Sequence, residues 1–156
     1  MVAEKILSLV DRQLVIDLAS EMISIPSATG MEGDMARFLV RAFGEVGCES
    51  RLQTIYDDRH NAIGRLPGTG NGPTVLLSGH LDTSARGDEE FLVGKGWKNH
   101  PVIEGDRIWG NGICNMKHAF VSYVAGVDAM RRAGIRFQGD LILAGTAGEI
   151  EVAPVD

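Results

Sequence analysis

Apolar side chains recur at helical spacing in three stretches of the chain. The first covers about residues 4–23 and predicts either one amphipathic helix or two short ones. The second runs from about residue 31 to residue 46, and Gly47 follows it where a helix C-terminal cap is expected. The third extends to about Ala133, with Asn115 as its expected N-cap. These three stretches predict the helical part of the fold.

Between the helical stretches the pattern changes to short runs that are typical of strands. Residues 50–55 and 62–66 predict two strands around a polar turn, and the apolar runs 74–79 and 140–145 predict two buried strands. A long irregular stretch, about residues 83–112, lies between the last two, and loops of that length are usually functional. The order of helices and strands predicts an α/β domain with a mixed, partly parallel sheet.

Composition narrows the classes of function. The 156 residues are enough for one domain with a real core, and 44% of them are hydrophobic. A net charge of −6 without any basic run argues against nucleic acid as a partner. The sequence lacks an apolar stretch near the ~20 residues of a membrane span. With two cysteines and no signal-peptide pattern, we expect a cytoplasmic protein without disulfides.

Each of the two predicted buried strands leads into side chains that suit metal-assisted hydrolysis. His80 and Asp82 follow the first strand, and Glu149 and Glu151 follow the second. Neutral imidazole is a good zinc ligand, and a carboxylate two residues away can hold it in one tautomer. Ligands and catalytic groups collect at the carboxyl ends of strands in open α/β sheets. A histidine, carboxylates and a base-competent glutamate there indicate a metal-assisted hydrolase.

The sequence resembles the zinc-dependent M20 peptidases and deacylases, a family that includes acetylornithine deacetylase, succinyl-diaminopimelate desuccinylase and glutamate carboxypeptidase relatives. The resemblance is strongest at Ser78-Gly79-His80-Leu81-Asp82-Thr83 and extends over nearly the whole chain. It also includes Ile25-Pro26-Ser27, residues 61–66, residues 97–101, residues 108–117 and Ala147-Gly148-Glu149.

This resemblance implies a fold and a role for each matching residue. The fold would be the N-terminal part of the M20 catalytic domain, a three-layer α/β/α arrangement with a mixed, mostly parallel central sheet. His80 would bind zinc or another divalent transition metal, and Asp82 would orient its imidazole. Position 115 would bridge two ions. Glu149 would be the general base that activates water for attack on an amide, and would then protonate the leaving amine.

Two departures from the family pattern bear on the metal. The family has aspartate where this chain has Asn115, and a neutral amide oxygen is a much weaker donor between two dications. The family also has two consecutive glutamates where this chain has Glu149-Ile150-Glu151. Ile150 cannot bind a metal, and Glu151 would replace the second glutamate only if a bulge redirected its side chain. We therefore expect one ion rather than two, or none.

The third departure is length, since family members are usually at least twice this size. We expect residues 1–156 to be a single partial catalytic domain, without the lid domain and the C-terminal half. The chain would be either a fragment of a larger enzyme or one subunit of an enzyme that a second protein chain completes. The favoured function is hydrolysis of an N-acyl amino-acid-like small molecule. The alternatives are a non-catalytic or regulatory subunit that binds a partner chain, and an enzyme that uses Glu149 as acid and base with one metal or none. The sequence assigns no substrate-binding residues.

Overall fold

A computed structural model describes residues 2–150, which form four α-helices and six β-strands. The predicted first helical stretch is divided into two short helices, one of the two arrangements expected. The helices are α1 (Val2–Leu7), α2 (Arg12–Ser24), α3 (Gly33–Glu45) and α4 (His118–Arg132); the strands are β1 (Glu49–Tyr56), β2 (Arg59–Leu66), β3 (Val75–His80), β4 (Val102–Glu104), β5 (Arg107–Trp109) and β6 (Leu141–Thr146).

Local sequence signals explain where the longer helices begin and end. Asp11 caps α2, because its carboxylate accepts hydrogen bonds from the backbone N–H groups of Gln13 and Leu14. Helix α3 ends in a Schellman motif, in which Gly47 adopts a φ of +90° and its N–H bonds the carbonyl of Gly44. Gly134 ends α4 in the same way at a φ of +76°. The C-terminal ends of α3 and α4 agree with those that the sequence predicts.

The central sheet has four strands in the order β1-β2-β6-β3. Strand β6 pairs parallel to β3, whereas the β1–β2 and β2–β6 pairs are antiparallel. The sheet is therefore mixed, as predicted. The expectation of a mostly parallel sheet is wrong for the described residues, because β1 and β2 form a hairpin whose second strand runs against β6.

Helices α3 and α4 pack on the same face of this sheet. A Cβ added at Gly64 of β2 would lie 2.9 Å from the Phe43 ring of α3, and one at Gly79 of β3 would lie 3.1 Å from Phe120 of α4. Both glycines point to the same side, since the residues paired with them on β6, Leu143 and Gly145, are two apart. Within residues 2–150 these two helices form one layer against the sheet, so the expected third layer is not seen there.

The opposite side of the sheet, which we call the open face, carries Ile63, Leu76, Ile142 and Ala144. Their register places them together, because Ile63 pairs with Ala144 and Leu76 pairs with Ile142. Leu76 is 59% exposed and Val75 beside it is 48% exposed. The sequence-based expectation that residues 74–79 form a buried strand is therefore wrong for the first half of β3.

The long stretch between β3 and α4 is less irregular than the sequence suggests. It contains a 3₁₀ turn, Lys95–Trp97, and the two-stranded hairpin of β4 and β5. The hydrophobic core lies between the sheet and the helices and includes completely buried side chains such as Met22, Leu39, Phe43, Phe120 and Leu143. Among residues 2–150, no helix combines the length and the apolar character that crossing a membrane requires.

Candidate functional site

Three segments bring His80, Asn115 and Glu149 together at one edge of the sheet. His80 is the last residue of β3, and it pairs with Thr146 at the end of β6. Because these strands are parallel neighbours, the segment that follows β6 carries Glu149 towards His80. His80 Nε2 lies 3.0 Å from Asn115 Oδ1 and 3.8 Å from Glu149 Oε2. Two of the side chains singled out from the sequence, those of Asn115 and Glu149, thus lie next to His80 Nε2.

The imidazole of His80 is fixed from its other nitrogen. Its Nδ1 lies 2.9 Å from the backbone carbonyl oxygen of Asp82 and 3.5 Å from Asp82 Oδ1. A proton on Nδ1 satisfies the carbonyl, and it leaves the Nε2 lone pair directed towards Asn115 and Glu149. Orientation of the imidazole, expected from the Asp82 carboxylate, comes mainly from the Asp82 main chain.

The Asp82 carboxylate instead holds the segment that carries Glu149. Its Oδ2 accepts hydrogen bonds from the Thr29 hydroxyl at 2.8 Å and from the Ile150 N–H at 2.9 Å, and its Oδ1 accepts from the Glu149 N–H at 3.2 Å. Burial raises the pKa of Asp82, but these hydrogen bonds outweigh it and the pKa lies below its ordinary value. Asp82 is therefore an ionised anchor for the Glu149 backbone.

A buried ion pair lies against the segment that carries Glu149. The Arg59 guanidinium donates two hydrogen bonds to the completely buried carboxylate of Glu32. A Cβ added at Gly148, whose φ is +78°, would lie 2.6 Å from an Arg59 nitrogen, so the backbone passes close over the guanidinium. Asn61 Oδ1 accepts a hydrogen bond from the Ala147 N–H at 3.0 Å. The turn before Glu149 is thus held on both sides.

Asn115 lies in an irregular turn, Ile113–Lys117, that precedes α4. Its φ and ψ of −142° and 92° are extended, and its side chain makes no cap, so the expectation that Asn115 caps the third helix is wrong. Lys117 fixes this turn from the interior, since its ammonium donates to the carbonyl oxygens of Met22 and Ile25 at 2.8 Å each. Burial lowers the pKa of Lys117 to about 7. The turn is therefore tied to the end of α2.

Thr29, Glu32 and Arg59 contribute to this site although the sequence did not single them out, whereas Lys117 supports the loop before α4, as the sequence predicts. Glu32 and Lys117 have almost no exposed surface, which a polar residue reaches only when its partners are present. The sequence offers one weak signal, the proximity of these residues to the segments 25–27, 61–66 and 108–117 that carry the family resemblance. Nothing in the local pattern shows that Glu32 and Arg59 pair with each other across the fold.

The side chains around His80 provide atoms that could hold a divalent ion. With the proton on Nδ1, His80 Nε2 and Asn115 Oδ1 are both acceptors and lie only 3.0 Å apart. Two acceptors at this distance repel each other. The contact becomes favourable if the Asn115 amide rotates so that its NH₂ group donates to Nε2, if Nε2 carries a proton, or if a cation lies between the two atoms. Glu149 Oε2 lies 3.8 Å from His80 Nε2, which places the carboxylate beside these two atoms as a candidate base. Within the part of the chain that the structure describes, no three histidine, cysteine or acidic residues are grouped as a metal site.

Two further expectations concern the segment after β6. Glu151, the secondary candidate ligand, lies outside the described residues. Ile150 takes part through its backbone N–H, which bonds Asp82. The Glu149 side chain is 64% exposed, so residues 2–150 do not provide the water-poor pocket in which Glu149 would work without a metal.

The sequence is similar to known enzymes over most of its length. It is 32% identical to the succinyl-diaminopimelate desuccinylase of Ehrlichia canis over 116 residues, which are 72% of this chain and 29% of that protein. It is 28% identical to the enzyme of the same name from Pelagibacter ubique over 142 residues, which are 88% of this chain and 36% of that protein. A comparison with models of protein families finds none that matches.

Solved structures agree with this relationship. A di-peptidase of Saccharomyces cerevisiae superimposes with a TM-score of 0.73 at 20% identity, over 94% of this chain and 34% of that one. An M20 family metallo-carboxypeptidase of Sulfolobus solfataricus gives 0.72 at 13% identity, over 88% and 31% of the two chains. The chain belongs to the M20 peptidase family. It spans about a third of the length of the curated M20 relatives that it matches.

Another solved M20 structure is that of a metal-binding peptidase. The YXEP protein of Bacillus subtilis, described as a dinuclear metal-binding peptidase of the M20 family, superimposes with a TM-score of 0.53 at 15% identity, over 86% of this chain and 34% of that one. At this level of identity the likeness concerns the fold. The number of ions for this M20 chain has to be argued from its own donors.

Proposed function

We propose that this M20 chain is part of a metal-assisted amide hydrolase that acts on an N-acyl amino-acid-like small molecule. The position of Asn115 Oδ1 and Glu149 Oε2, each within 4 Å of His80 Nε2, supports this proposal. Metal-assisted hydrolysis of an amide requires a general base next to the ligands of a Lewis-acidic ion. Here Glu149 would be the base, and His80 and Asn115 would be the ligands.

In the proposed reaction Glu149 removes a proton from water as the water oxygen attacks the amide carbonyl carbon. The same proton is then donated to the amide nitrogen, the C–N bond breaks, and a carboxylic acid and an amine leave. His80 and Asn115 would hold one divalent ion, which would supply polarisation of the carbonyl and acidification of the water. Asp82 and Thr29 act as positioning residues, because they fix the Glu149 backbone.

We also propose that a second polypeptide completes the domain. The open face carries Leu76, which is 59% exposed. Exposed apolar surface on a sheet face is normally covered in a stable protein. The second polypeptide would then supply the layer that covers this face.

A non-catalytic M20-like subunit is the second candidate, and the exposure of Glu149 favours it. An exposed carboxylate is a weaker general base than one in a closed site, since closure excludes water from the reacting groups. If the completing polypeptide covers Glu149, this difference disappears.

Metal analysis combined with one isosteric variant tests the hydrolase proposal. We expect one zinc ion per chain, and we expect Asn115→Asp to bind zinc about tenfold more tightly, a gain of about 1.4 kcal/mol, because a charged oxygen replaces a neutral one. Two ions in the unchanged chain would contradict the single-ion proposal.

A second variant separates catalysis from metal binding. Hydrolysis of N-acyl amino acids by the zinc-loaded chain with its completing polypeptide should fall by about 10² to 10⁴ in Glu149→Gln. Glu90→Gln, an exposed acidic residue in the long segment before α4, is the control and should leave the rate unchanged. Equal rates for both variants, or no hydrolysis by the unchanged complex, would favour the non-catalytic subunit.

A further inference from the structure

A cavity of about 580 Å³ adjoins the candidate site on the side of the β4–β5 hairpin. Thr83 and Asn115 form part of its wall, so it opens beside Asn115, whose Oδ1 lies 3.0 Å from His80 Nε2. Pockets for small ligands usually have volumes of roughly 300–1,000 Å³. The cavity is therefore large enough for one side of an amide substrate.

The wall of this cavity is mainly apolar. The large hydrophobic side chains that line it are Trp97, Ile108, Trp109 and Ile113. Large aromatic and aliphatic walls of this kind are suited to a bulky apolar group.

Arg107 is the one charged residue among those lining the cavity. Its side chain is exposed, and the structure gives it no ion pair within residues 2–150. A single guanidinium next to an apolar wall matches a ligand with one carboxylate and one large hydrophobic group. Ligands with several charges would leave some of their charges facing tryptophan and isoleucine, which is costly.

We propose that this cavity, which we call the tryptophan pocket, binds the bulky apolar or aromatic side chain of an N-acyl amino acid, with Arg107 contacting its carboxylate. This inference rests on the proposed function, because it names the substrate class of the same site. The scissile amide of such a ligand would then face Asn115, His80 and Glu149.

Intrinsic fluorescence gives a direct test, because Trp97 and Trp109 are the two tryptophans of the chain and both line the pocket. N-acetyl-L-phenylalanine and N-acetyl-L-alanine carry the same amide and the same charge and differ by one phenyl ring. We expect both compounds to change the tryptophan emission of the metal-free chain. N-acetyl-L-phenylalanine should do so at a concentration about tenfold to a hundredfold lower than N-acetyl-L-alanine, because its aromatic ring is buried in the pocket. Equal affinities would overturn the proposal.

A substitution that narrows the pocket provides a second arm. A Cβ added at Gly96, which lines the pocket, meets no atom within 4 Å, so Gly96→Leu should fold and reduce the affinity for the phenylalanine compound at least tenfold. Gly70→Leu is the matched control, since that glycine is equally unobstructed and lies in the turn before β3. Equal effects of the two variants would overturn the proposal.

Thiol labelling keeps the test independent of any substitution. Cys114 is exposed and lines the pocket, whereas Cys48 is buried. Saturating N-acetyl-L-phenylalanine should slow alkylation of Cys114 by iodoacetamide at least fivefold, and N-acetyl-L-alanine at the same concentration should not. Unchanged labelling by both compounds would overturn the pocket assignment.

The outcomes distinguish this inference from the proposed function. Selective binding and thiol protection without hydrolysis by the completed, zinc-loaded protein would retain the pocket and reject the hydrolase. Hydrolysis that proceeds equally well with both acetylated amino acids would retain the hydrolase and reject the pocket.

Discussion

At the residue scale, Asp82 joins His80 to the segment that carries Glu149. Its backbone carbonyl fixes His80, and its carboxylate binds the Glu149 and Ile150 N–H groups and the Thr29 hydroxyl. One residue therefore sets both the direction of the imidazole and the position of the proposed base. The Thr29 hydroxyl is the partner of this carboxylate that can be removed without changing the main chain.

Thr29→Val should destabilise the protein by about 1.5–3 kcal/mol, the usual range for a hydrogen bond to a charged group that is then left short of a donor. Thr69→Val is the control, because its hydroxyl bonds the neutral Phe137 carbonyl at 3.1 Å in an exposed turn, and its loss should cost about 1 kcal/mol or less. Urea unfolding of both variants measures the difference. Equal midpoints would mean that Thr29 does not support Asp82.

At the element scale, the sequence predicted most of the helices and strands but not all of their surroundings. Schellman glycines and the Asp11 cap are local signals, so the ends of α2, α3 and α4 were within reach of the sequence. The exposure of Val75 and Leu76 could not be predicted, because an apolar run in the sequence looks the same whether or not another layer covers the strand. His80, Asp82 and Glu149 could be named as site residues, whereas the Glu32–Arg59 pair depends on tertiary contact.

The packing of α3 on β2 can be tested at Gly64. A Cβ there would lie 2.9–3.0 Å from Phe43, which is completely buried, so Gly64→Ala should destabilise the protein by about 1–3 kcal/mol through overpacking. Gly126→Ala in α4 is the matched control, since its Cβ meets no atom within 4 Å, and it should stabilise by about 0.5–1 kcal/mol. Thermal unfolding of both variants measures this. Stabilisation by both alanines would contradict the close α3–β2 contact.

An ion pair joins α3 to the turn between β1 and β2. Arg37 donates hydrogen bonds of 2.6 and 2.9 Å to the two carboxylate oxygens of Asp58, and this contact is the main reason that the pKa of Asp58 is lowered to about 2. Since the folded-state pKa lies below the ordinary value near 4, the stabilisation is complete above about pH 4. It is lost as the pH falls through 2.

Arg37→Gln should therefore raise the pKa of Asp58 towards 4, as NMR titration of its carboxyl carbon would measure. The difference in unfolding midpoint between this variant and the unchanged protein should shrink as the pH is lowered from 4 to 2. Arg51→Gln, at an exposed position of β1, is the control and should leave the Asp58 titration in place. A pKa of Asp58 that stays near 2 in Arg37→Gln would refute the assigned cause.

At the scale of the whole molecule, the proposed site and the proposed completing polypeptide are linked by the sheet. His80 lies at the end of β3, and β3 is an outer strand among the described residues, with Leu76 on the open face. An outer strand next to an uncovered apolar face favours association. We therefore expect the chain alone to self-associate reversibly through the surface that the completing polypeptide would otherwise cover.

Leu76→Lys should weaken this self-association at least tenfold, because it replaces apolar surface worth about 1.5–3 kcal/mol on burial with a charge. Val2→Lys is the matched control: Val2 is similarly exposed but lies on α1, away from the sheet, and its replacement should leave association unchanged. Sedimentation equilibrium over a range of concentrations measures both. A monomeric unchanged chain, or equal weakening by the two lysines, would show that the open face is not the associating surface, and the completing polypeptide would then have to bind elsewhere.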